Sequence, residues 1–537
     1  MAWRAKKSRY LRYKILPMKK LLLYLCCAFL VVKIQAQVAN SVLAPPNIKI
    51  SQPKNDSVKA NSDASIAKPT TQAATIPAPD LKNSPPKKDS INTFNAVPVA
   101  IIQTAFVNIP DVNFRNYLLK NDSINTNHDS LITFIEARSV KHLSIDSLAI
   151  ADLTGIEAFS SLTYLNCESN KLSTLNVSAN SKLNWLICSH NVLSTLDVSK
   201  NMDLTDLNCD FNALPILDVS NDTALTSLHC SHNMLTALNT SANTKLADLD
   251  CDGNQLKELN LKTNTALKKL ICSHNSLAAL NVSNNEALVE LDCSRNQIAK
   301  LNVSASTMLT VLYCNNNLIN ILAVNMNAAL TDLWCHNNQL TTLNLRGTIG
   351  LMRLSCSDNK ISLLNLNTNK ALTSLYCNNN QLTALTVISN VDLKDLGCSR
   401  NQFTSLDVST NTALNELWCD NAQLKSLDLS NHKMLTGLWC YNNQLSSLNI
   451  SNDSALISLS CLNNQLSFLD LRTNAALIYL WCYNNPNLKM VCLNSIQMKL
   501  TNNVKSVLEK DASCSWSTTE CSPIQAEADK SSNKSKK

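Results

Sequence analysis

A length of 537 residues would ordinarily imply three or four globular domains, but self-similarity at a fixed 21-residue period removes that inference. The formal charge of +7 misleads as well: nine Lys/Arg and no acid fall in residues 1–36, so the chain beyond them carries −2. Such a nearly neutral body lacks the electrostatic footprint of nucleic-acid binding, and six glycines leave little room for a phosphate-cradling loop.

Residues 1–36 read as a secretory signal, with a basic opening, the apolar run Leu21–Val32 and Ala36 at the cleavage point; Met18 could be the true start. The run falls short of the roughly 20 residues that span a bilayer. No transmembrane helix is expected after cleavage, and an uncleaved anchor is the alternative. Residues 37–104 are rich in Pro, Ser, Asn, Lys and Ala and lack a sustained apolar period. They cannot bury enough surface to offset chain entropy and read as a disordered spacer.

Residues 105–161 read as an amino-terminal cap running into an atypical first repeat. Val112–Leu119 suits a short helix with Phe114 and Leu118 on one side, and 133–138 suits another. The loop between them is EF-hand-like. With Asn125 first, Asn127 falls third, Asp129 fifth and Glu136 twelfth, where a calcium loop places its oxygens and its bidentate carboxylate. Asn stands at the first place and Ser130 replaces the turn glycine. With two carboxylates, the loop reads as a vestigial structural cap, calcium being the alternative.

Residues 162–498 form an array of 16 units. Each has Leu at places one and four, Cys at place six (Cys167 to Cys482, every 21 residues) and, in 15 of 16, Asn at place nine. A unit of this size buries its apolar face only by stacking on its neighbours, which makes a solenoid. Places four and six point inward from a short strand; three, five and seven point outward. The Asn side chains should satisfy backbone groups of the neighbouring coil as a ladder. That ladder should weaken at Ala422, with Asn421 beside it to compensate. The second half of each unit echoes the first and leaves no room for a useful helix, which favours a second extended segment. The fold class is therefore mostly β: a leucine-rich repeat solenoid with a parallel sheet, little helix outside the caps and weak curvature. At about 4.8 Å per coil, 16 coils run roughly 75 Å.

In-register strands set the column cysteines side by side with Cβ atoms about 4.8 Å apart, against about 3.8 Å in a disulfide, so they read as buried free thiols. Cys492, at the place of an inward Val, lies outside the column with Cys514 and Cys521, and one pair among these three is a candidate disulfide. Residues 499–521 read as a carboxy-terminal cap and 522–537 as a disordered tail.

All five array tryptophans and all six array tyrosines occupy outward places. Most form a strip in the second half: Tyr313, Trp334, Tyr376, Trp418, Trp439, Tyr441, Tyr479, Trp481 and Tyr483. The first half of that face is acidic, with Asp206, Asp248, Asp250 and Glu290. Aromatics suit exposed sheet for its own sake. Trp and Tyr also dominate interface energetics, and large exposed apolar patches mark binding. Stacked rings with asparagines beside them would also suit sugars. His190, His232 and His274 recur on alternating coils about 10 Å apart, too far to share a metal, and read as solvated. No Ser/His/Asp set or metal-hydrolase motif occurs, so no enzyme and no cofactor is expected.

IPDVNFRNYLLKND, the loop ending in Glu136–Ala137 and LTGIEAFSSLTYLNC resemble the amino-terminal cap of internalin-like bacterial surface leucine-rich repeat proteins, and the Cys/Asn units look like the secreted versions of such arrays. The likeness covers roughly residues 105–515. It implies a secreted or cell-surface protein whose partner is another protein. The expectation is a non-catalytic protein-binding module using the aromatic and acidic face, with a glycan-binding or structural surface adhesin as the alternative.

Overall fold

A computed structural model describes residues 106–501, 507–519 and 521. The signal, spacer and terminal tail expected at 1–36, 37–104 and 522–537 lie outside those residues. Helix α1 (Val112–Leu119) buries Phe114 and Leu118 and is capped by Asp111. One Asp111 oxygen accepts from the amides of Asn113 and Phe114; the other accepts from Ala151 and Asp152 of the first coil. A single cap side chain thus stitches helix to solenoid. Helix α2 (Phe134–Ser139) starts with a capping box between Thr133 and Glu136.

The strand His142–Ser144 opens an 18-stranded sheet, pairing parallel with Tyr164–Asn166. From there each three-residue strand pairs in register with the one 21 residues on, Leu165 on Leu186 and so forth. The central leucine of every array strand is buried and its flanks face outward. After the inward cysteine the chain must turn. It does so at place eight in the left-handed region, with φ between 49° and 62° in all 16 coils. Asn tolerates this conformation better than most residues and fills seven of those places.

Place nine holds the turn. Asn191 is representative: its Nδ2 donates to the carbonyls of Cys167, Cys188 and Ser189, and its Oδ1 accepts from the Leu172 amide of the preceding coil. At Ala422 no side-chain oxygen accepts from Phe403, the residue at the matching place. Asn421 does not compensate, contrary to expectation. Its Nδ2 donates to Asp420 and its Oδ1 accepts from Asn442, because place eight points along the surface and not into the coil.

The second half of the coil is extended, with scattered parallel bridges such as Asn176 to Asp197 and the strand pair Lys300–Asn302 and Ile321–Ala323. A second amide ladder runs through it at place nineteen. Asn201 Nδ2 donates to the carbonyls of Val177 and Asn180 one coil back, and nine other asparagines repeat the pattern. In α3 (Ser495–Leu500), Gln497 donates to the Asn474 carbonyl and carries this ladder one step further with a longer side chain.

The carboxy-terminal region departs from a simple cap. Val507–Glu509 adds a strand to the main sheet beside Tyr479–Trp481, and Ser515–Ser517 adds one beside Met490–Cys492. The segment therefore makes a further, lengthened coil. One extra residue in the last unit shifts the register, so Val491 pairs with Leu469 and Cys492 with Asp470. Cys492 thus takes the place of an outward Asp, not of an inward Val. There it forms the disulfide with Cys521, with Cα atoms 5.9 Å apart. Cys514 and the 16 column cysteines are free and buried. Burial pushes the thiols up, those of Cys167 and Cys356 to about 12.

Candidate binding face

Because the strands are in register, each outward place forms a continuous column. Place five brings Tyr313 beside Trp334, and Trp418 beside Trp439. Trp334 is 42% exposed; Tyr313, Tyr376, Trp418, Trp439, Tyr441, Tyr479, Trp481 and Tyr483 are half-buried. None of the nine is sealed inside. The rings meet one another: Tyr313–Trp334 centroids lie 5.0 Å apart, Tyr376–Trp418 6.1 Å and Trp418–Trp439 5.0 Å. The last two planes are within 8° of parallel. Two indoles that close and parallel cannot lie side by side, so they stack face to face and leave their edges to solvent.

Two glycines make this layer possible, and sequence reasoning missed both. A Cβ at Gly437 would come within 2.5 Å of Cη2 and Cζ3 of Trp439, and one at Gly397 would sit 3.0 Å from Cδ1 of Tyr376. The available signal was a glycine at an outward strand place in a chain with only six.

The acidic half is built differently. Asp206 accepts from Thr205 Oγ1, and Asp248 lies 3.6 Å from His229 Nε2. Asp252 holds two histidines at once, His232 at 3.2 Å and His274 at 2.9 Å. His190, Phe211 and His232 stack with centroids 4.3 Å apart. The histidines of alternating coils are thus not independent solvated groups, as expected, but are linked through Phe211 and a shared carboxylate. Gly253 permits this, since a Cβ there would meet His232 Nδ1 at 2.7 Å. Burial, and then neighbouring Asp210, pushes the Asp250 carboxyl up, while the nearby Asp248 carboxylate raises His229. Glu290 half-buries in the next acidic coil.

In the cap loop the Glu136 carboxylate is already engaged. One oxygen accepts from the amide and hydroxyl of Thr126, the other from those of Thr133. Burial opposes its charge, but these bonds outweigh it and hold Glu136 below the usual carboxylate range. Asn125 is buried and donates to the carbonyls of Leu119 and Asp129; Asn127 and Asp129 bond each other. Among the described residues no group of three or more His, Cys, Asp or Glu is arranged to hold a metal, and no helix is long and apolar enough to cross a membrane.

Stacked parallel coils with leucine, cysteine and asparagine columns define the class: a leucine-rich repeat solenoid. The functional domain of InlJ from Listeria monocytogenes, described as including a cysteine ladder, is 32% identical with a TM-score of 0.58, over 71% of this chain and 80% of that one. The chain belongs to the internalin-like leucine-rich repeat proteins. A leucine-rich repeat protein of Leptospira interrogans shares the fold at 23% identity and TM-score 0.56, over 62% of this chain and 93% of that one. So does the plant peptide hormone receptor RGFR1 in complex with RGF2, at 17% and 0.54, over 68% of each chain. No protein-family model and no curated protein matches the sequence.

Proposed function

We propose that the chain is an exported, surface-displayed protein-binding module without catalytic activity, whose partner, another protein, docks on the outward face of the main sheet. One observation carries this reading: a contiguous aromatic layer from Tyr376 to Trp439 is held half-exposed over glycines. Ring stacking that served only the sheet would not need side chains removed beneath it. Large rings left in solvent are the usual anchors of protein interfaces. The receptor of the same fold that holds a peptide hormone is in keeping with it. The face-to-face Trp pair favours protein over sugar: a sugar ring would need an open indole face, and Trp418 has Trp439 against one side and the Tyr376 ring on the other. The loop at Asn125, Asn127, Asp129 and Glu136 we read as a structural cap and not a calcium site.

The test is Trp418→Ala, Trp439→Ala and Trp481→Ala combined, used as bait in a bacterial surface extract beside the parent chain. The expected result is at least a tenfold loss of a captured protein with the melting temperature unchanged. A lowered melting temperature with capture intact would make the layer structural and sink the reading.

A further inference from the structure

The charge of the array is segregated by place. Over the 16 coils, places three, five and seven carry twelve Asp/Glu and two Lys/Arg, whereas the remaining places of residues 162–498 carry twelve acids and eighteen bases. Several of these acids serve the fold: Asp250 and Asp292 accept from turn amides two residues on, and Asp332 pairs with Arg353. At one point the arrangement works against the fold: Asp395 and Glu416 are direct register partners on adjacent strands. Like charges so placed destabilise a sheet pair. Neither belongs to any ion pair among the described residues; Asp395 is met by the Ser374 hydroxyl. Arg353, one of the two bases on the strip, is already committed to Asp332.

These carboxylates stand among the rings. Burial, then Asp395 and Glu416, pushes the Tyr376 phenol up to about 12, and burial followed by Asp420 does the same to Tyr441. Trp418 shares its strand with Glu416. Aromatic rings and carboxylates side by side suit one kind of side chain in two ways: the carboxylates attract a Lys or Arg head group, and the half-buried rings beside them offer apolar surface to its methylene stem. Anionic surfaces, by contrast, would be repelled.

We propose that the occupant of the face around Tyr376, Asp395, Glu416, Trp418 and Tyr441 is a lysine- or arginine-rich segment of the protein partner. This rests on the binding-face reading above and adds the partner's chemistry to it. Unpaired carboxylates and neighbouring rings then act as one recognition surface, and the like-charge pair at Asp395 and Glu416 is relieved only when the cation arrives.

The experiment measures fluorescence anisotropy of a labelled 12-residue peptide of alternating Lys and Ser, and of its Glu counterpart, on the purified full chain at low and physiological salt. The Lys peptide should bind at least tenfold tighter than the Glu peptide. That binding should fall at least tenfold in the double variant Asp395→Asn, Glu416→Gln and in Trp418→Ala. It should be unchanged in Asp197→Asn with Asp218→Asn, two exposed carboxylates on the other half of the coil. The Asp395/Glu416 variant should melt no lower than the parent, which separates lost recognition from lost folding. Equal binding of both peptides, or equal loss in the Asp197/Asp218 control, overturns the proposal. So does spermine competing as strongly as the peptide residue for residue, which would make the ligand a free polyamine. If the Trp variants lose the extract protein while the Lys peptide shows no preference, the cationic assignment falls and the binding face stands. If the Trp variants lose nothing from the extract, the binding-face reading falls and this assignment with it.

Discussion

At place nineteen of the coil, ten asparagines each donate a side-chain amide to carbonyls of the coil before, while nine of their own oxygens stay without a partner. The site thus asks for a donor, not an acceptor. Its substitutes comply: Ser306 donates to the Asn285 carbonyl one coil back, His432 Nε2 faces that of Val408, and Thr348 donates within its own coil to that of Leu345. Asp222 and Asp453 comply only when protonated. Both are fully buried with neither oxygen partnered, and burial pushes each carboxyl from 3.8 to about 7. Because the folded value is raised, the stability these groups allow is complete below about pH 4 and is lost as pH rises through about 7. Asp222→Asn and Asp453→Asn should therefore raise the melting temperature at pH 8, each by the equivalent of about 1–3 kcal/mol, and leave it nearly unchanged at pH 4. A gain independent of pH would contradict the donor argument. The place-nine ladder was legible in the sequence because 15 of 16 coils carry Asn there. This second column was not, since five coils vary it and only the bond pattern shows that the variants share a donor.

Among the elements, the cap helices and short strands follow from local signals: Asp111 ahead of α1, Thr133 and Glu136 around α2, and apolar places four and six in each unit. The loop between the helices matched a calcium motif by spacing alone. Spacing cannot tell whether a carboxylate has spare lone pairs, and Glu136 spends both oxygens on threonine donors. Glu136→Gln should lower the melting temperature of the cap, at a cost of about 1–3 kcal/mol, because an amide NH2 would face those donors. Millimolar calcium should leave the parent's melting temperature unmoved; a rise that Glu136→Gln removes would restore the metal reading. The last coil was misread, because its register also depends on contacts that spacing does not show. A one-residue insertion near Pro486 moves Leu493 to the inward place and Cys492 to the outward one, and an apolar pattern tolerates either register until the partner strand is seen.

For the molecule as a whole, the repeat period carried most of the fold, because identical units admit little but in-register stacking. The outward direction of the aromatic residues followed from strand alternation. How the rings arrange themselves did not, since it depends on Gly397 and Gly437 and on contacts between coils. Everything functional rests on thiols facing in and rings facing out. Hydroxyl-radical footprinting of the native chain, alone and saturated with its captured partner, reads both at once. The account predicts oxidation of Trp334, Trp418, Trp439 and Trp481 in the free chain, intact sulfurs from Cys167 to Cys482, and partner protection confined to the outward strand places. Oxidised column sulfurs, or protection on the opposite half of the coils with the tryptophans still reactive, would contradict it.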